Sequence, residues 1–392
     1  MKKILIINNN LKIGGIQKSL VNLISSLYDH DEFNSNYEIN IGLFYKNGEY
    51  LKEIPKNVKI IDLPKRLQIL GMSQEEARGK SFFWKIFRGI YAVIARLLGK
   101  RIAFLLLFLG LHKMIYDIAI SYMHNTNDAS IYGGCNEYVI NKIIADKKIA
   151  FIHCDYKNFG GNSKYNVSIN NKFDNIVFVS NSCKQQYLTM YPYVQEKARI
   201  VYNCHNYGDI NNKSKENTIN YRKDVSNIIS VCRLTGEKGI YRGIPLMKII
   251  KEKGYNFQWH IIGDGQDKEK IINKINELGL SGDILLYGNQ DNPYKYMKNA
   301  DFLFIPSYHE ASPMVINEAK FLSLPILSTN TISAHEMISE NEGLICENED
   351  QSILLSLIKM LELKLYKDMK LNLEKEFYYN TISTSQILEL LF

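Results

Sequence analysis

Short apolar runs alternate with stretches of helical period along the first half of the chain. Ile4 to Ile7 reads as a strand, Ile16 to Tyr28 spaces its apolar residues as a helix does, and Ile39 to Phe44 reads as a strand again. Further strand-like runs follow at Ile115 to Ser121, Ile149 to His153, Ile176 to Val179 and Ala198 to Tyr202, with a helix start at Ser180 or Ser182. This is βαβ grammar and predicts a parallel sheet flanked by helices. From Asn203 to Asn227 the sequence turns polar, with Asn211-Asn212-Lys213-Ser214-Lys215 at its centre, which predicts a linker over 206–227. A second series begins beyond it, at Ile228 to Val231, Phe257 to Ile262, Ile284 to Tyr287, Phe302 to Ile305 and Pro325 to Leu327. The predicted fold class is α/β, with two doubly wound Rossmann-like domains at 1–205 and 228–375 and a terminal helix within 376–392. Ligands of open α/β sheets bind outside the carboxyl ends of the strands, so two such sheets in tandem are expected to face a cleft.

Size agrees with two domains: 392 residues, 46% hydrophobic and 23% charged, exceed what one core comfortably organises. The start, Lys2 to Ile7, runs straight into Asn8-Asn9-Asn10 and does not resemble a signal peptide, so the chain is expected to stay in the cytoplasm. The six cysteines stand singly, without a Cys-x-x-Cys pair. His153-Cys154-Asp155 and Cys204-His205 lack a recognised ligand spacing, so no metal site is expected. Charge is uneven. Residues 64–113 hold ten lysines and arginines against two glutamates, net +8, while the remaining 38 basic and 39 acidic residues come to −1. A localised basic segment suggests an anionic surface as partner rather than solubility alone.

The most informative stretch runs from Pro306 to Ala319. It leaves an apolar strand and opens a helix, with Ser312 suited to the N-cap, Pro313 to the first helical position and Met314-Val315 opening the periodic run. A helix N-terminus at a strand-end crevice suits a phosphate. Glu310 precedes it and Glu318 follows in the second turn, so the two carboxylates can address different parts of one ligand. A second strand runs into Arg233-Leu234-Thr235-Gly236-Glu237-Lys238-Gly239, a loop able to turn both cations toward one diphosphate. A third strand leads to Gly14-Gly15, where backbone N–H groups can approach a ligand. Gly263-x-Gly265 lacks the full dinucleotide spacing, which argues against NAD.

Pro306, Ser307, Glu310, Glu318 and Ala319 together resemble the two-glutamate donor motif of the retaining GT-B glycosyltransferases of glycosyltransferase family 4. Ala311 stands where that family usually has glycine, and Ser312-Pro313 where it often has another. Arg233 to Gly239 resembles its G-R-L-x-x-x-K-G signature, with Cys232 in place of the first glycine, and Gly14-Gly15 resembles its amino-terminal loop. The resemblance spans about Lys2 to Glu347. It implies a GT-B fold whose terminal helix returns to the first domain, and metal-independent transfer of a sugar, with retention and without a cofactor, from a nucleotide-sugar, UDP-sugar by family habit. The acceptor would be a saccharide or lipid-linked saccharide of the bacterial envelope. Catalytic roles then fall to Glu310, His153, Arg233 and Lys238. Donor contacts fall to Gly14, Gly15, Arg233, Lys238, Gly263, Gly265, Ala311, Ser312, Pro313, Met314, Val315 and Glu318, with Glu310 on sugar hydroxyls and Glu318 on the ribose. An epimerase, a hydrolase or phosphorylase, and a non-catalytic nucleotide-sugar sensor are the alternatives; no nucleic acid is expected as partner.

Within the basic segment, Phe82 to Arg88 leads through Ile90 to Ile94 and on to Arg96, Lys100 and Arg101. Ile102 to Leu111 is apolar but falls short of the ~20 residues needed to span a bilayer. A buried helix would also look like this. Trp and Phe interleaved with Lys and Arg favour an interfacial helix at anionic lipid headgroups, which would make the protein peripheral on the inner membrane face.

Overall fold

A computed structural model of the chain describes residues 1–125, 130–217, 219–376 and 378–392. The chain divides into one unit of Met1–Cys204 with Asn380–Phe392 and a second of His205–Tyr379. In the first, β1 (Lys2–Asn8), β2 (Tyr37–Leu43), β3 (Lys59–Ile61), β4 (Met114–Ser121), β5 (Ile143–Ile152), β6 (Asn175–Phe178) and β7 (Ala198–Ile200) form a parallel sheet in the order β3-β2-β1-β4-β5-β6-β7. In the second, β8 (Ser226–Val231), β9 (Phe257–Ile262), β10 (Ile284–Leu286), β11 (Phe302–Ile305), β12 (Ile326–Thr329) and β13 (Gly343–Cys346) are parallel in the order β10-β9-β8-β11-β12-β13. Strand order reverses between β1 and β4 and between β8 and β11, and at such switch points the loops diverge and leave a crevice.

Both faces of each sheet are covered, which is why the strands read as unbroken apolar runs. On β1, Ile4 and Ile6 join one buried cluster while Leu5 and Ile7 join another. Phe302 and Phe304 of β11 pack on one face of the second sheet, Leu303 and Ile305 on the other. The last helix, Thr381–Leu391, packs Ile387, Leu390 and Leu391 into the first unit's core, and Tyr37 Oη donates to Leu391 O at 3.0 Å.

The polar stretch expected as a linker over 206–227 is corrected by the structure, which holds a helix at Tyr207–Lys215 in the second unit. Asn206 caps it, accepting from the Asp209 amide at 2.9 Å, and Ile210 is its one buried apolar anchor. One anchor among asparagines and lysines is too weak a period to register in the sequence.

The basic segment folds as helices Gln74–Lys80, Phe82–Leu98 and Lys100–Phe108, the last two separated by Gly99 at φ 85°. Helix Phe82–Leu98 is apolar on two sides. Trp84, Phe87, Tyr91 and Ile94 pack inward with Leu67, Ile69 and Phe104. Phe83, Ile86, Ile90, Val93 and Leu97 form an exposed stripe, and Leu105 of the next helix and Leu109 just beyond it are exposed as well. The sequence had offered a core helix or a surface helix, and this element has a face of each kind. Arg88 and Lys100 were expected among the outward cations, but Arg88 donates to the Ile69 carbonyl and Lys100 is buried, leaving Lys85, Arg96 and Arg101 exposed. Trp84, expected on the lipid side, faces the core. No helix of the described residues is long and apolar enough to cross a membrane.

Candidate donor site

The loops leaving β8 and β11 share the second sheet's switch point. The first, 232–239, is pinned by Leu234, which is fully buried. Gly263, at φ +134°, and Gly265 fit against it so closely that a Cβ would stand 1.8 Å from Cys232 O and 2.3 Å from Leu234 O, respectively. These two glycines, expected to meet the donor, admit the backbone of the cation loop. Burial pushes the Cys232 thiol up to about 12, so it stays uncharged.

Lys238 lies on a single 3₁₀ turn, Gly236–Lys238, and reaches Glu310 in the loop after β11. Its Nζ donates to Oε1 at 2.8 Å and to Oε2 at 2.9 Å. Ser307 Oγ also donates to Oε1, at 2.7 Å, and Thr329 Oγ1 donates to Ser307 O at 2.5 Å. The pair is sheltered, with side-chain exposures of 18% for Lys238 and 9% for Glu310. Two donors on Oε1 against one on Oε2 leave Oε2 with the greater capacity to accept from a ligand hydroxyl. Arg233 takes another course: its side chain is 66% exposed and donates to Glu237 Oε1 at 3.4 Å. In the structure each cation lies on a different glutamate.

Helix Met314–Phe321 begins one residue later than the sequence suggested. Pro313 occupies the N-cap position, at φ −67° and ψ 121°, without a side-chain cap, so Ser312 is not the cap. The shift keeps the helix start beside the Glu310 loop, with Ala311 buried and Met314-Val315 in the first turn, whose amides have no intrahelical acceptor. Glu318, on the second turn, is buried and accepts from Tyr294 Oη at 3.3 Å.

Gly14, Gly15 and His153 belong to the first unit. Gly14 caps helix Gly15–Tyr28 at φ 172°, an extended conformation any residue adopts, and an added Cβ would crowd the movable Gln17 side chain, with Lys12 O at an ordinary 4.0 Å. His153 follows β5 and packs on Tyr122 and Phe151, with ring centroids at 4.7 and 5.6 Å, and its amide donates to His124 Nδ1 at 3.4 Å. Burial first, then the neighbouring His124, lowers its pKa to about 3, so the ring is neutral near pH 7. Its Nε2 is enclosed and has no partner among the described residues. An Asp-x-Asp spelling, Asp29-His30-Asp31, lies exposed where the helix after β1 has returned to the amino-terminal end of the sheet, away from the strand ends that bind ligands.

This histidine carries a stability prediction. An unfolded histidine titrates near ~6.5, so between that value and the depressed native one the unfolded chain holds the extra proton. The stability from keeping His153 neutral is present above that window and is lost as pH falls through it, at up to about 1.4 kcal/mol per pH unit. His260, lowered by burial to about 4, acts in the same direction. Melting temperature is expected to fall as pH drops below about 6.5, and less steeply in His153→Gln. Parallel curves for the two proteins would contradict this.

Residues 210–381 match the family model described as Glycosyl transferases group 1. An uncharacterised glycosyltransferase of Methanocaldococcus jannaschii is 33% identical over 141 residues, 35% of this chain and 35% of that protein. The Campylobacter jejuni N-acetylgalactosamine-N,N'-diacetylbacillosaminyl-diphospho-undecaprenol 4-alpha-N-acetylgalactosaminyltransferase is 31% identical over 170 residues, 43% of this chain and 45% of that protein. The chain thus aligns with less than half the length of each of these curated relatives. Among solved structures, Anabaena Alr3699/HepE in complex with UDP and glucose superposes with a TM-score of 0.67 at 16% identity, covering 100% of this chain and 99% of that one. The chain has the two-domain α/β fold of the GT-B glycosyltransferases, and its residues 210–381 are similar to the glycosyl transferases group 1.

Proposed function

We propose that this chain transfers a sugar from a UDP-sugar to a saccharide or lipid-linked saccharide acceptor in bacterial capsule, exopolysaccharide, O-antigen or teichoic-acid assembly. The observation that carries this reading is the sheltered Lys238–Glu310 pair, at 2.8 and 2.9 Å, beside the start of helix Met314–Phe321. Breaking the bond from anomeric carbon to diphosphate releases negative charge. Lys238 and the helix amides supply fixed positive charge for it, with Arg233 swinging in from its exposed position. Glu310 accepts from sugar hydroxyls and Glu318 from the ribose. The acceptor hydroxyl attacks on the face from which the diphosphate leaves, so the configuration is retained. The relative named for a diphospho-undecaprenol substrate supports a lipid-linked acceptor, and the UDP-bound structural neighbour supports the uridine donor.

The test is to incubate the protein with several UDP-sugars, with and without a membrane-lipid extract, and analyse nucleotide and sugar products. Transfer only with extract, undiminished in excess EDTA and giving an α-linked product from an α-linked donor by NMR, is the expected result. An inverted product, or a requirement for divalent metal, contradicts the corresponding part of the mechanism. Donor consumption without extract points to an epimerase or hydrolase, and binding without turnover to a sensor.

The exposed stripe from Phe83 to Leu97, edged by Lys85, Arg96 and Arg101, supports docking on the anionic inner face of the membrane, with the apolar residues entering the headgroup region. Each exposed cation contributes about 1 kcal/mol near such a surface. Salt-sensitive binding to anionic vesicles and not to neutral ones is expected, weakened by Lys85, Arg96 and Arg101→Gln and by Ile90→Ser with Leu97→Ser. Equal sedimentation with both vesicle types, or with neither, contradicts it.

A further inference from the structure

One buried arginine holds the loop that carries Glu310. Arg242 lies four residues beyond Lys238, on helix Ile240–Glu252, and is 8% exposed. Its Nε and Nη2 both donate to Pro306 O, at 2.9 and 2.7 Å, and Nη2 also donates to Ser307 O at 3.2 Å and to Asn348 Oδ1 at 2.7 Å. The guanidinium lies over the Tyr308 ring, 3.8 Å from its centroid. Asn348 Nδ2 donates to Tyr308 O at 2.9 Å, and the Tyr308 amide donates to Glu237 O at 2.8 Å. Gly239, at φ +68°, admits the same carbonyl so closely that a Cβ would stand 1.8 Å from Pro306 O. Three successive loop residues, 306 to 308, are thus tied to one side chain, and Glu310 lies two residues further on. A lysine cannot reproduce this, since its ammonium neither forks across two carbonyls nor stacks flat on a ring.

We propose that Arg242 is a positioning residue, clamping loop 306–308 so that Glu310 and Lys238 meet the sugar diphosphate in register. The inference rests on the donor-site reading of Glu310 and Lys238 given above. Small displacements of a reacting group can lower turnover by about 10²-fold, and that is the loss expected for Arg242→Lys with the UDP-sugar that serves the wild type. UDP affinity should change little. Because Arg242 acts through Glu310, Arg242→Lys should add nothing to Glu310→Gln in the double variant, and guanidinium ion at low concentration should restore part of the activity of Arg242→Ala.

A second readout needs no turnover. In the unliganded protein, Lys238 is sheltered by Glu310, and competitive acetylation under limiting acetic anhydride, with Lys274 and Lys295 as internal references, should label it slowly. Arg242→Lys should accelerate that labelling. Tyr308→Leu, which removes the ring under the guanidinium, should do the same and decides the matter if the Arg242 variants fail to fold. If the wild type turns over no UDP-sugar, the functional reading fails and the labelling alone tests the clamp. Unchanged Lys238 labelling in the variants, or losses from Arg242→Lys and Glu310→Gln that multiply, would overturn it.

Discussion

Lys238→Ala is expected to weaken UDP binding by roughly 10- to 150-fold, the equivalent of the ~1.5–3 kcal/mol carried by one charge-assisted hydrogen bond. The substitution also leaves Glu310 without the cation that holds its carboxylate in place. Donor binding therefore suffers twice, from the lost contact to the diphosphate and from a carboxylate less well placed to accept from sugar hydroxyls. Calorimetric titration with UDP isolates the first effect, and the additional loss with UDP-sugar reports the second. Equal UDP affinity in variant and wild type would remove Lys238 from the site.

Glu310→Gln is expected to lower turnover about 10²-fold with little loss of UDP affinity, because it perturbs the contact that orients the sugar rather than the one that holds the nucleotide. The amide keeps an acceptor oxygen for Ser307 or Lys238 but cannot serve both and a sugar hydroxyl as the carboxylate can. Glu318→Gln should show the opposite division, with weaker binding of UDP and UDP-sugar alike. Titrations and initial rates on the two variants separate these roles. If Glu310→Gln weakens UDP binding as strongly as it slows transfer, its assignment to the sugar is wrong.

Much of this architecture is legible in the sequence because strands buried on both faces announce themselves. Leu5 and Ile7 had to be apolar for one layer of helices and Ile4 and Ile6 for the other, which produces the run that marks β1. The edge strands β3 and β13 are short and left no comparable run, and helix Tyr207–Lys215 was hidden by its polar exterior. At the site, Glu310 and Lys238 could be singled out because their neighbours repeat a known pattern. Their pairing could not be foreseen, since it depends on how two loops far apart in sequence meet at one switch point. The resting direction of Arg233 was hidden for the same reason: spacing gives reach, while its side chain lies on Glu237, only four residues away. Arg242 carried a weaker signal still. A cation inside an amphipathic helix looks like any surface residue until Pro306 and Tyr308 are seen around it. In the segment 82–108, the doubled apolar face explains why composition alone suited both a core and a surface helix.

In the proposed function the donor diphosphate rests between Lys238 and the start of helix Met314–Phe321. Amide hydrogen exchange with and without saturating UDP tests it most directly, because it reports where the nucleotide binds whatever the sugar or acceptor. Protection is predicted over 235–239 and 310–318 of the second unit and should be lost in Lys238→Ala at the same UDP concentration. UDP binding that leaves both segments unprotected would contradict the assignment.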